Sequence, residues 1–184
     1  TIYACCEVQL SDNYNATRDQ YMYEKVEWFL QHGDNTVLFI NGHNGHIGKS
    51  AVAGYTCLGE LLSDNLGNGY SSIGTDAQET QFNSQKGNGE FEVLEVSNSN
   101  DLNNQFSNAD NGQYFIDFAS ATSDEVWKQI LSSKQSITTL NVSLSGMQKM
   151  LKSAYTVTIT PQDIFDSMIV FQSVTPSTIL SEQR

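Results

Sequence analysis

Thr36-Val37-Leu38-Phe39-Ile40-Asn41-Gly42-His43-Asn44-Gly45-His46-Ile47-Gly48-Lys49-Ser50 is the stretch on which the reading of this chain turns. Residues 36–40 show none of the alternation of a half-buried strand. They predict a central strand covered on both faces, as in an α/β sheet. Two of the chain's three histidines, His43 and His46, follow at once on a loop punctuated by Gly42, Gly45 and Gly48. Loops past the carboxyl ends of strands form the ligand crevice of open α/β sheets, and imidazole exchanges protons near neutral pH. His43 and His46 are therefore the candidate catalytic residues, with loop-backbone pairing as the plain structural alternative. His32 reads as structural, a cation at a helix C-terminus.

Two other readings of the loop compete. Gly42…Gly48-Lys49-Ser50 after a strand looks like a nucleotide-binding P-loop, with Asp117 available for magnesium. Five residues separate the two glycines where the motif needs four. A metal site would join His43 and His46 to a ligand from elsewhere, such as Glu7 or Glu60. No carboxylate or cysteine lies near in sequence, and no metal or cofactor is expected.

Outward from the loop, Met22, Val26, Phe29 and Leu30 predict a helix over Thr17–His32. Thr17 and Gln20 suit a capping box, and Gly33 suits a left-handed stop. Leu58, Leu61, Leu62 and Leu66 predict a second helix ending near Gly67. Strands are expected at Tyr70–Thr75, Phe91–Val96, Tyr114–Phe118, Tyr155–Thr160 and Met168–Gln172. A short helix is expected at Asp124–Ser132 and a helical turn at Gln162–Asp166. The Asn- and Ser-rich stretch 97–113 reads as a solvated surface loop. The whole reads as one α/β domain, residues 1–184, with a mostly parallel central sheet and flanking helices. Because residues 36–40 need cover on both faces and helices are few, an exposed apolar patch is expected.

The chain has 184 residues with 9 Lys and Arg against 21 Asp and Glu, a formal charge of −12. That charge disfavours nucleic acid and anionic membrane surfaces as partners. Apolar residues at 39% and charged residues at 16% argue against intrinsic disorder. No apolar run approaches the ~20 residues of a membrane span. Cys5, Cys6 and Cys57 form no disulfide framework and read as buried small hydrophobes. Unpaired cysteines favour a bacterial cytoplasmic setting, with secretion the alternative. The chain opens on Thr1 without a Met, so a processed chain or a fragment is expected.

Four segments carry a resemblance: Val37–His46, Arg18-Asp19-Gln20-Tyr21-Met22, Leu58-Gly59-Glu60-Leu61-Leu62 with Gly67, Tyr70, Ile73 and Gly74, and Phe165–Val170 near Thr175-Pro176. In register, they resemble the erythromycin esterase family, which includes succinoglycan-biosynthesis-like proteins. The resemblance implies metal-independent hydrolysis of a small-molecule ester or lactone, a macrolide lactone in the best-known members. It implies His43 and His46 as a catalytic pair, with the general base supplied by a Glu and His in a preceding N-terminal half. This chain then corresponds to the C-terminal half and needs that partner segment, or a homo-oligomer, to be active. Asn44, Gly45 and Arg18 are expected to bind substrate or the oxyanion. Asp19 is expected to serve as a dipole partner and Glu60 to lie on a solvated face. A non-catalytic carbohydrate- or partner-binding domain of the same fold stays open as an alternative.

Overall fold

The computed structural model describes residues 2–34, 37–52, 54–109, 111–140 and 143–179. The chain divides into two compact units, one of residues 1–74 with 162–167, the other of residues 75–161 with 168–184.

The first unit is helical. Helix α1 (Ile2–Leu10) leads into α2 (Tyr14–His32), then the one-turn α3 (Asn44–Ile47) and α4 (Leu58–Leu66). Sequence reading passes over α1 because its apolar residues do not gather on one stripe. α2 starts a turn earlier than the capping-box reading expects, behind Asn13, and Thr17 sits inside the helix with its hydroxyl 2.6 Å from that of Ser11. Gly33 ends the helix in an extended conformation, φ −94°, not a left-handed one; its N–H donates to the Phe29 carbonyl at 2.9 Å. Phe29 and Leu30 are exposed, whereas Asp19 on the same stripe is wholly buried. α4 forms where the leucines place it, burying Leu58, Gly59 and Leu62, and Gly67 at φ +51° lets the chain turn away.

Residues 37–40 carry no regular secondary structure and join no sheet among the described residues, with Val37 82% and Phe39 84% exposed. The expected central strand is therefore not a strand here, and its first residue, Thr36, lies outside the described residues. Apolar character makes a segment suited to a central position, but it cannot supply the neighbouring strands.

The second unit holds a four-stranded sheet in the order β2-β1-β6-β3, formed by β1 (Ile73–Gln85), β2 (Phe91–Ser97), β3 (Gln113–Asp117) and β6 (Ser167–Val174). Helices α5 (Phe118–Ala121) and α6 (Glu125–Ser132) follow β3; α7 (Pro161–Ile164), which precedes β6 in sequence, falls mostly within the first unit. A separate antiparallel pair joins β4 (Gln135–Thr138) to β5 (Thr156–Ile159). The four-stranded sheet is mostly antiparallel, which corrects the expectation of a mostly parallel one. The reason is local: β1 and β2 form a hairpin in register Phe82↔Leu94 and Gln85↔Phe91, closed by a turn with Gly89 at φ +85°. Leu94, Val96, Leu144 and Tyr155 form the core against β2, flanked by Phe82, Leu140 and Ala154.

β1 extends far beyond the strand expected at Tyr70–Thr75, because its inward positions are polar. Asp76, Thr80 and Ser84, spaced four residues apart on one face, are buried. Within the stretch 97–113, read as a solvated surface loop, Asn98, Asn100, Leu102 and Asn103 are buried. Asn100 and Asn103 donate to Asp76 Oδ2 at 2.7 and 3.3 Å, and the Thr138 N–H donates to Asp76 Oδ1 at 2.9 Å. Burial pushes the Asp76 carboxyl up, and these donors work against that shift. Amide side chains here satisfy a buried carboxylate, which composition alone reads as solvation.

Candidate functional site

The histidine loop belongs to the first unit. His43 caps α3 with extended backbone, and its Nδ1 accepts the Gly45 N–H at 3.2 Å. The single turn closes through His46 N–H donating to His43 O at 2.8 Å and Gly48 N–H to Asn44 O at 3.1 Å. This turn carries both imidazoles, ring centroids 6.4 Å apart and planes at 69°. Asn44 and Gly45 lie between them, as expected of a shared loop.

His46 is held by helix α2. Its Nδ1 lies 2.9 Å from each Asp19 carboxylate oxygen, hydrogen-bonded to Oδ2, and the Arg18 guanidinium hydrogen-bonds its Nε2. Asp19 Oδ2 also accepts the N–H of Leu58, the first residue of α4, at 2.9 Å. The donor pattern places the His46 proton on Nδ1, toward the carboxylate, and the lone pair on Nε2, toward Arg18. Arg18 Nε is 3.8 Å from Asp19 Oδ1, and its guanidinium lies 5.9 Å from the Tyr14 ring centre. The structure thus brings together Arg18, His43, Asn44, Gly45 and His46.

Asp19 is the residue that sequence reading undervalues. The helix that contains it starts at Tyr14, so Asp19 is no dipole partner for its own helix; its carboxylate serves the start of α4. Its position on the face of Met22 and Val26 was a weak signal, because the rest of that face is partly or fully exposed. Glu60 departs from the solvated-face expectation too: its Oε2 is buried and has no hydrogen-bond partner among the described residues.

The loop's main chain is fixed from the other side. Tyr70 and Ser72 hydroxyls both donate to the Ile47 carbonyl at 2.6 Å. Burial pushes the Tyr70 phenol up to about 12, so it remains a donor at physiological pH. The Cys57 thiol donates to Gly48 O at 3.2 Å and is pushed up by burial, an inert packing role. Cys5 and Cys6, by contrast, are exposed, which corrects the reading of all three as buried.

The phosphate-cradle geometry is not present. Lys49 and Ser50 follow a helix, whereas that motif requires them to open one. The Lys49 amine is 2.8 Å from Asp166 Oδ1, and Asp117 caps α5 through Ser120 N–H at 2.9 Å. Among the described residues no group of three or more His, Cys, Asp and Glu side chains is arranged to hold a metal ion.

His43 is exposed as a residue, but partial desolvation of its ring, and then the nearby His46, hold the imidazole below its ordinary value of 6.5. As pH falls the unfolded chain takes up this proton before the folded one. The contribution of His43 to stability is therefore full above the ordinary value and lost as pH falls through the folded-state value. The chemical-denaturation midpoint is expected to decline below about pH 6.5, and His43→Gln should remove part of that slope. An unchanged slope in the variant would contradict the lowered value of His43.

With this geometry in place, the chain can be set against known proteins. A mixed α/β chain with an imidazole pair on a one-turn helix matches the family model "Erythromycin esterase" over residues 1–174. The chain belongs to the erythromycin esterase family. It is similar to a crystal structure of a Bacillus cereus protein at 29% identity and TM-score 0.73, covering 92% of this chain and 41% of that one. A succinoglycan biosynthesis protein matches at 16% identity and TM-score 0.79, covering 97% and 44%. A mutant of the erythromycin esterase EreC in its open conformation matches at 12% identity and TM-score 0.58, covering 94% and 40%. The last two likenesses concern the fold alone. The chain thus spans less than half the length of each of these solved structures. No protein of curated function matches it.

Proposed function

We propose that this chain carries the histidine loop of an ester or lactone hydrolase. One observation supports this most: two imidazoles on one helical turn, one of them backed by a buried carboxylate and faced by a guanidinium. In this reading water attacks the ester carbonyl with histidine assistance, and His43 and His46 are the catalytic pair. His43 accepts the Gly45 N–H at Nδ1, so its neutral ring carries the proton on Nε2. Partial desolvation favours that neutral form, and a neutral Nε2–H is a donor suited to a developing oxyanion. Arg18 adds positive charge, and Asn44 and Gly45 border the same place. For His46 Nε2 to take a proton, Arg18 must turn from the ring toward substrate, which suits a side chain 37% exposed.

The general base that activates water is assigned to chain beyond these residues, for which the chain's match to only 40–44% of the solved structures leaves room. The 184 residues alone are then expected to turn over little or no ester. Assayed at its natural length on macrolide lactones and simple aryl esters, the protein should show turnover. No turnover across that panel would overturn the hydrolase and leave a non-catalytic binding domain of the same fold.

The exposed residues Val37, Leu38 and Phe39 support the matching proposal on partners. Here the additional chain docks, or a second copy does in its absence. The isolated chain is expected to self-associate on sedimentation and bind an apolar dye; a monodisperse monomer that binds none would overturn the proposal. No described helix is long and apolar enough to cross a membrane. The three free thiols fit the proposed reducing, cytoplasmic setting.

A further inference from the structure

We infer that Asp19 is a positioning residue for His46, fixing its ring so that Nδ1 carries the proton and Nε2 presents its lone pair to the substrate side. The inference rests on the reading in which His46 acts on substrate, and it assigns a role to a residue that does not itself touch substrate.

Asp19 has no exposed surface, and an ionisable side chain is rarely that deep without a paired role. Its partners are His46 Nδ1 at 2.9 Å and the Leu58 N–H at 2.9 Å. The Leu58 bond orients the carboxylate: Cys57, the residue before α4, makes no side-chain cap, and Asp19 takes that place from another helix. A carboxylate so anchored is a fixed acceptor, and an imidazole that donates to it from Nδ1 has only Nε2 left as an acceptor. The loop backbone is already held by Tyr70 and Ser72 on the Ile47 carbonyl, one residue past His46. What remains to be set is the rotation and tautomer of the ring, and Asp19 sets both. A residue that merely capped α4 would leave the tautomer untouched.

The test is ¹⁵N NMR of the intact chain with labelled histidine, recorded where the histidine signals no longer move with pH. The wild type is expected to show His46 with an N–H on Nδ1 and a bare Nε2. Asp19→Asn keeps the volume but sets an NH₂ donor in place of one of the two oxygens that lie 2.9 Å from Nδ1, so it should lose this single tautomer and give a mixture; Asp19→Glu should restore part of it. In the active natural-length protein, Asp19→Asn should lower kcat by about 10²-fold or more with KM nearly unchanged. An Nε2–H tautomer in the wild type would overturn the inference, as would an unchanged tautomer in folded Asp19→Asn. The wild-type spectrum decides even if every variant misfolds. A protein that shows the Nδ1–H tautomer but hydrolyses no ester would uphold the Asp19–His46 coupling and overturn the hydrolase reading alone.

Discussion

Gly59→Ala is expected to destabilise the first unit by about 3 kcal/mol or more, although alanine ordinarily favours a helix over glycine by about 1 kcal/mol. A Cβ at Gly59 would stand 2.4 Å from the Ile47 carbonyl carbon and oxygen and from the Gly48 oxygen. None of these atoms is the end of a flexible side chain. The Ile47 oxygen is held by Tyr70 and Ser72, and the Gly48 oxygen by the Cys57 thiol. Either α4 or the histidine loop must move. Movement of α4 carries the Leu58 N–H away from Asp19, and movement of the loop carries His46 away. Urea denaturation followed by circular dichroism measures the loss. A neutral or stabilising alanine would mean that α4 and the loop are not packed in this way.

His46→Ala should abolish ester hydrolysis in the natural-length protein, with a fall of about 10²- to 10⁴-fold in kcat, the range for losing a positioned proton-transfer group. The substitution also leaves the buried Asp19 carboxylate with one partner fewer, at a cost of about 1–3 kcal/mol in stability. Activity must therefore be read beside a folding control. His46→Gln supplies a second one: its amide can still donate toward Asp19 but cannot accept a proton, so it should restore much of the stability and none of the rate. Retained turnover in folded His46→Gln would remove His46 from the chemistry.

Part of this architecture was legible because apolar residues kept their periods. Leu58–Leu66 and the helix capped by Asp124, whose carboxylate accepts the Val126 and Trp127 N–H groups, form as their sequences predict. β1 was not legible, because the residues that point inward are Asp76, Thr80 and Ser84 and their burial depends on partners such as Thr138 and Leu144, roughly sixty residues on. Val37–Ile40 failed in the opposite sense. Its hydropathy suits a sheet centre, yet no strand pairs with it among the described residues.

The site was half legible. A histidine pair on a glycine-rich loop marks itself by residue type, and Arg18 came with the family's motif. Asp19 looked like an ordinary helix-start acid. Its role emerges only when α2, α3 and α4 are assembled, since its partners His46 and Leu58 lie 27 and 39 residues away.

The most direct test of the central claim is titration of the natural-length protein with an alkyl phosphonate, a tetrahedral anion that mimics the intermediate of ester hydrolysis, followed through labelled histidine and arginine side chains. The account predicts saturable binding that shifts the His43 and His46 ring signals and the Arg18 guanidinium signal together, and that is lost in His43→Ala. Saturable binding that leaves all three signals unmoved would contradict it.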